Sequence, residues 1–196
     1  MLRFLTVFAF ILLTSFPVLA QTHIIPRPPL RGQMSRMVVF DKRDDLPPVM
    51  LSSQNEGLLY LSQLKKKILI INLWATWCPP CVEELPSLSA LQTAMGTEKL
   101  KIITVSLDTS PPDVVQKYLN DNNLSNLNGY LDVNDDVKKL DALRGVQGIP
   151  ATLIVDPQGR VLARLEGPAD WNGPDARAVM DYYMNNLSFA SYKESQ

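Results

Sequence analysis

A buried-strand pattern that runs into a cysteine pair constrains this chain more than any other feature. Ile68–Trp74 is almost continuously apolar, which is typical of a central strand covered on both faces. Cys78 and Cys81 follow shortly afterwards, and apolar residues then recur at helical spacing from Pro80 to about residue 95. The pattern predicts a strand, a tight turn and a helix, with the cysteine pair where the helix begins.

The rest of the chain alternates between strand and helix patterns. A polar turn separates two short apolar runs at residues 49–51 and 58–60, which indicates a hairpin. Further strands are predicted at residues 102–107, 151–155 and 161–166, and further helices at residues 113–122, 134–143 and 174–187. Alternating elements of this kind favour an α/β fold.

The N-terminus has the pattern of an export signal. Arg3 precedes an apolar run at residues 4–16, and Pro17 and Ala20 follow it. The run is shorter than the roughly 20 residues that span a bilayer. We predict a signal peptide at residues 1–20, with cleavage after Ala20 favoured over an uncleaved anchor. An extended linker at residues 21–47, a folded domain at 48–188 and a flexible tail at 189–196 complete the predicted organisation. Within the linker, an edge strand at residues 37–40 is an open alternative.

Composition narrows the chemistry that the cysteines perform. The net charge of −1 gives no field to attract nucleic acid. The chain contains 2 cysteines, only three positions apart, so a disulfide between them constrains the unfolded chain little. The single histidine, His23, lies in the predicted linker, whereas a closed zinc site needs four ligands. We therefore expect redox chemistry, with no cofactor and no bound metal.

The helix start assigns different roles to the two cysteines. Cys78 lies at the positive end of the helix dipole, which favours the thiolate, and we predict it to face solvent as the nucleophile. Cys81 lies one turn further along and is the predicted resolving thiol. Pro79 and Pro80 supply neither a cation nor a backbone donor, so the thiolate is stabilised modestly. This favours a reductant over an oxidant.

Three neighbouring side chains are further candidates. Glu84 can share a helix face with Cys81 and take its proton, although a solvated glutamate explains the sequence equally well. Trp77 can form an apolar docking surface beside Cys78. Trp74 is assigned to the core, and Trp171 has no functional role that the sequence reveals.

Two separated motifs resemble a known family. Residues 72–81 followed by 84–86, and residues 148–152 followed by Asp156 and Gly159, resemble the TlpA/ResA/CcmG (DsbE) group of periplasmic thioredoxin-like proteins. The similarity runs from about residue 34 to residue 187. Residues 165–168 with Trp171, and the lead-in at 37–39, look most like TlpA.

The resemblance implies a thioredoxin-like fold, with a central mixed sheet flanked by helices. It implies that Pro150 is cis and lies opposite the cysteines, and that the backbone of Ile149 pairs with a bound substrate chain. It also places Glu84 at an active-site glutamate. Thioredoxin itself has a buried aspartate where this chain has Asn72, so proton handling is expected to pass to Glu84 or to water.

The resemblance further implies a cellular location and a set of partner proteins. The expected location is the periplasm, with inner-membrane attachment only through an uncleaved N-terminus. Expected clients are exported proteins with reducible disulfides, in cytochrome c maturation or in copper-site assembly of cytochrome oxidase, and a membrane thiol reductase is the expected electron donor. Alternatives that stay open are a Cu(I)-binding chaperone, a thiol oxidase or isomerase, and a peroxidase of the same fold.

Overall fold

The computed structural model describes residues 27–64, 66–134, 136, 139–140 and 146–189. The predicted signal peptide at residues 1–20, His23, the start of the predicted linker, most of the predicted helix at 134–143 and residues 190–196 lie outside the described residues. Within the described part, every helix is either too short or too polar to cross a bilayer.

The described strands form one mixed sheet. Their bounds, in chain order from β1 to β8, are Val38–Val39, Met50–Ser53, Gly57–Tyr60, Ile68–Trp74, Leu100–Ser106, Gly129–Asp132, Ala151–Val155 and Val161–Glu166. The spatial order is β1-β8-β7-β4-β5-β6-β2-β3. β4 pairs in parallel with β5, and β5 with β6, whereas the other neighbours are antiparallel. The predicted mixed sheet is therefore confirmed.

The described α-helices begin at prolines. Their bounds are α1 Pro79–Met95, α2 Pro112–Asp121 and α3 Pro174–Asn186. A proline costs nothing at the first helical position, because its missing N–H has no partner inside the helix. Short 3-10 helices cover Gly32–Arg36 and Leu61–Leu64. The bounds of α1, α2 and α3 lie within two residues of the predicted ones at 80–95, 113–122 and 174–187.

β4 lies at the centre of the molecule and is buried along its whole length. Its side chains at Ile68, Ile70 and Trp74 pack with the apolar faces of α1 and α3. The alternate side chains, Leu69, Ile71 and Leu73, belong to a second apolar cluster on the opposite face. Asn72 shares the α1 face with Trp74, so the sheet directs one amide under the start of the helix.

Two parts of the fold differ from the prediction. β6 was not predicted, because its four residues pair with β2 and β5, so no local hairpin marks them in the sequence. The part of the predicted extended linker that the structure describes folds against the domain instead. It forms the 3-10 helix Gly32–Arg36, in which Met34 is only 1% exposed. It also forms the edge strand β1, which agrees with the alternative of a strand at residues 37–40. Burial of Met34 and Met37 in the core fastens this segment.

Candidate active site

The cysteine pair lies at the junction of β4 and α1, as predicted. Cys78 is the N-cap of α1, and a disulfide joins it to Cys81 one turn later. The prediction that Cys78 faces solvent is wrong for this state, because its exposed fraction is 5%, against 0% for Cys81. The Ile149 carbonyl oxygen lies 3.8 Å from Cys78 Sγ and helps to cover it. The outer sulfur of the pair is nonetheless Cys78.

The first turn of α1 has few free N–H groups. Pro79 and Pro80 occupy its first two positions, and neither has an amide proton. The next two amides, of Cys81 and Val82, both donate to the Cys78 carbonyl oxygen at 3.1 Å. A thiolate at Cys78 would therefore receive less direct hydrogen bonding than an ordinary helix N-terminus supplies.

A cis proline faces the cysteine pair. The Ile149–Pro150 peptide bond is cis, as the resemblance implied. Pro150 is buried and Ile149 is partly exposed, so the Ile149 backbone lies at the rim of the site. The Pro150 carbonyl oxygen accepts a hydrogen bond from the Gly167 amide at 2.8 Å, which ties this loop to the end of β8.

Glu84 is a buried acid on α1, three residues after Cys81. It is only 3% exposed, so it is not the solvated glutamate that the sequence also allowed. Asn72 Nδ2 donates to its Oε1 at 2.7 Å. The Ala169 amide and Trp171 Nε1 donate to its Oε2 at 3.0 and 3.2 Å. Burial raises the pKa of Glu84 from its ordinary 4.5 to about 7, although these donors oppose the rise. Glu84 can therefore gain or lose a proton near neutral pH.

Asn72 connects the acid to the sheet. Its Nδ2 donates both to Glu84 and to Thr152 Oγ1, the latter at 3.0 Å on the neighbouring strand β7. Its Oδ1 is buried and has no hydrogen-bond partner. The amide thus links the Glu84 carboxylate to strand β7.

The two tryptophans beside the cysteines behave differently. Trp74 is fully buried in the core, as predicted, whereas 67% of Trp77 is exposed beside Cys78. Asp108 fixes the turn that carries Trp77, because its carboxylate accepts hydrogen bonds from the Thr76 amide at 3.0 Å and from Thr76 Oγ1 at 2.7 Å. An apolar ring is therefore presented to solvent on a fixed turn.

Four residues that take part in this site were not predicted from the sequence. They are Asp108, Thr152, Ala169 and Trp171. A buried indole N–H usually finds a partner, and this general expectation was the one available signal for Trp171. The others reach the site only through the fold. Among the described ranges, no group of three or more His, Cys, Asp or Glu side chains converges on one point.

The chain is similar in sequence to known thiol–disulfide exchange proteins. The chain is 29% identical over 126 residues to the thiol-disulfide oxidoreductase ResA of Bacillus subtilis, covering 63% of this chain and 66% of that protein. It is 34% identical over 103 residues to the thiol:disulfide interchange protein HelX of Rhodobacter capsulatus, covering 52% and 53%. The chain thus spans about half to two thirds of the length of these curated relatives, and both names bear out the predicted resemblance.

A solved structure supports the fold. The thioredoxin domain of a thiol-disulfide oxidoreductase from Bacteroides vulgatus superposes with a TM-score of 0.59 at 24% identity, covering 71% of this chain and 96% of that one. This likeness confirms the predicted thioredoxin-like fold. The model of the AhpC/TSA family matches residues 43–164, a stretch that includes both cysteines, Glu84 and Pro150. The chain belongs to the AhpC/TSA family.

Proposed function

We propose that this chain is an exported thiol–disulfide oxidoreductase that reduces protein disulfides through Cys78 and Cys81. One observation carries the proposal: a disulfide at the first turn of a helix contacts the residue before a cis proline, and a buried titratable acid lies on the same helix. The names of the relatives ResA and HelX describe thiol–disulfide exchange, which supports the chemistry of this proposal.

The reaction is a pair of thiol–disulfide exchanges. The Cys78 thiolate attacks one sulfur of a client disulfide, which forms a mixed disulfide and releases the first client thiolate. Cys81 then loses its proton and attacks Cys78 Sγ. The Cys78–Cys81 disulfide forms, the second client thiol leaves, and two electrons have passed to the client. A thiol reductase must return two electrons to the pair before the next cycle.

The start of α1 supports the proposed direction of electron flow, from the cysteine pair to the client. A strong oxidant stabilises its reduced thiolate, which requires donors or a cation near the nucleophilic sulfur. Pro79 and Pro80 remove two amide donors from this position. The Cys78 thiolate is therefore stabilised only modestly, and the reduced pair should donate electrons more readily than the reduced form of a strong oxidant.

Glu84 is the group proposed to exchange a proton with Cys81. It follows Cys81 by almost one helical turn, and both side chains are buried in the same core. Its pKa of about 7 allows the carboxylate to take a proton during attack by Cys81 and to return it when the pair is reduced.

We place the protein in the periplasm, with clients in cytochrome c maturation or in copper-site assembly of cytochrome oxidase. The export pattern at residues 1–20 and the resemblance to the TlpA/ResA/CcmG group support this proposal. The exposed ring of Trp77 beside Cys78 offers an apolar contact for a partially unfolded client.

The test begins with the reactivity of the two thiols. After reduction, Cys78 should be alkylated by iodoacetamide much faster than Cys81, and a Cys78→Ser variant should lose insulin reduction. A Cys81→Ala variant should retain clients as mixed disulfides, with the Cys78→Ala/Cys81→Ala double variant as the matched control. If neither thiol reacts, or if Cys78→Ser still reduces insulin, Cys78 is not the nucleophile.

Equilibration with glutathione tests the direction. A reductant should have a potential well below the DsbA value of about −120 mV. A potential near that value would identify an oxidant and overturn the assignment.

A further inference from the structure

One turn supplies two of the three N–H groups that reach Glu84. Ala169 and Trp171 both lie between β8 and α3, in the segment that we call the 167–171 turn. The turn is fastened to α1 as well, because the Trp171 amide donates to Ser87 Oγ at 3.0 Å. The position of this turn therefore decides how well the Glu84 carboxylate is solvated by protein N–H groups.

The other side of the 167–171 turn is held by the 3-10 helix Gly32–Arg36. Arg36 Nη1 donates to the Glu166 carbonyl at 3.0 Å, and Nη2 donates to the Pro168 carbonyl at 2.6 Å. One planar guanidinium thus fixes two carbonyl groups on either side of Gly167. Gln33 Oε1 adds a second anchor, since it accepts from the Asp170 amide at 2.7 Å.

Gly167 shows how closely the arginine lies against the turn. Its φ of +78° is in the left-handed region, which glycine adopts at little cost. A Cβ at this position would lie 2.8 Å from Arg36 Nη1. Contacts therefore continue from Arg36 through the backbone of the turn to Glu84.

Arg36 is also a charged side chain that acts on Glu84, because its positive charge lowers the pKa of the acid. The other elements around Glu84 offer different groups. β4 and β7 contribute Asn72 and Thr152, which do not titrate, and Cys81 precedes Glu84 on α1. Two further acids lie nearby in the chain. Glu83 is exposed, and the carboxylate of Asp170, also on an exposed residue, accepts from the Asn172 amide at 3.1 Å.

We propose that Arg36 is a positioning residue, whose guanidinium holds the 167–171 turn where the Ala169 and Trp171 N–H groups reach the Glu84 carboxylate. The functional part of this inference rests on the role given to Glu84 in the proposed function. The structural part does not, because the ionisation of Glu84 can be measured without any redox turnover.

The experiment follows the Glu84 carboxyl carbon by NMR during a pH titration of the oxidised full chain. Arg36→Met removes both hydrogen bonds and the charge, whereas Arg36→Lys keeps the charge but cannot bridge two carbonyls in the same way. Arg27→Met is the control, because Arg27 lies in the same segment and makes only an exposed ion pair with Asp41. Hydrogen exchange of the Trp171 indole N–H reports the turn directly.

If Arg36 positions the turn, both Arg36 variants should raise the midpoint of the Glu84 pH titration, by about 0.5 pH unit or more for Arg36→Met. Both should also speed hydrogen exchange of the Trp171 indole N–H. Arg27→Met should match the wild type. Arg36→Lys carries the test if Arg36→Met does not fold. A wild-type midpoint in Arg36→Lys, with unchanged indole exchange, would overturn the proposal and leave Arg36 as a distant charge. If the midpoints shift but the chain reduces no disulfide, the inference stands and the proposed function fails.

Discussion

Replacing Glu84 with glutamine should remove a pH dependence of stability that the wild-type protein shows between about pH 4.5 and 7. In the unfolded chain Glu84 titrates near 4.5, whereas burial raises its pKa to about 7 in the folded protein. Between these values the folded protein holds a proton that the unfolded chain releases. The stabilisation is complete below pH 4.5 and is lost as the pH rises through 7.

The magnitude follows from the two pKa values. The interval between 4.5 and about 7 corresponds to about 3 kcal/mol of unfolding free energy. Glutamine resembles the protonated acid: its carbonyl can accept from Ala169 and Trp171 while its amide faces Asn72. Asn72 can rotate to offer Oδ1, which has no partner in the wild type. Glu84→Gln should therefore match the wild type within about 1 kcal/mol at pH 4.5 and exceed it by about 2–3 kcal/mol at pH 8.

Urea unfolding of the oxidised proteins at several pH values between 4.5 and 8 measures this difference. Groups common to both proteins cancel, so the difference curve reports Glu84 alone. Glu83→Gln is the matched control, because Glu83 is the exposed neighbour on the same helix and its replacement leaves the buried Glu84 carboxyl in place. A flat curve for Glu84→Gln, at equal m-values, would show that Glu84 titrates normally in the folded protein.

Three further outcomes are expected. Pro79→His should raise the reduction potential of the cysteine pair by about 30 mV or more, because an imidazole can stabilise the Cys78 thiolate. A shift of this size is a tenfold change in the equilibrium with glutathione, and an unchanged potential would contradict the role given to the prolines. Trp77→Ala should slow reduction of insulin several-fold but leave reduction of a small aromatic disulfide intact, and equal losses argue against docking. Asp108→Ala should lower the unfolding free energy, measured by urea titration, by about 1–3 kcal/mol, since the Thr76 amide loses its hydrogen-bond acceptor. An unchanged urea midpoint would argue against a stabilising role for the hydrogen bonds between Asp108 and Thr76.

The reactive centre was predictable because its signal is local. Ile68–Trp74, the cysteine pair and the helix after it are contiguous, and periodicity alone gives their order. The hairpin of β7 and β8 was predictable for the same reason, since the turn at residues 156–159 has strong sequence preferences. The cis form of Pro150 came only from the family resemblance, because most X–Pro bonds are trans.

The environment of Glu84 could not be predicted in this way. Its partners Ala169 and Trp171 lie 85 and 87 residues further along the chain. Nothing in the sequence near Glu84 separates a buried acid from an exposed one, and Glu83 beside it is exposed. The 3-10 helix Gly32–Arg36 was not predicted either, because its one buried residue, Met34, does not reveal a docking face in the sequence.

The 3-10 helix Gly32–Arg36 has a practical consequence for choosing fragments. The family match ends at residue 164 and begins at residue 43, so a fragment trimmed to these limits retains both cysteines, Glu84 and Pro150. It loses Arg36, the 167–171 turn and α3 together. Water would then replace the Ala169 and Trp171 donors around the acid, and a shortened protein would give redox and pH curves that misrepresent the full chain.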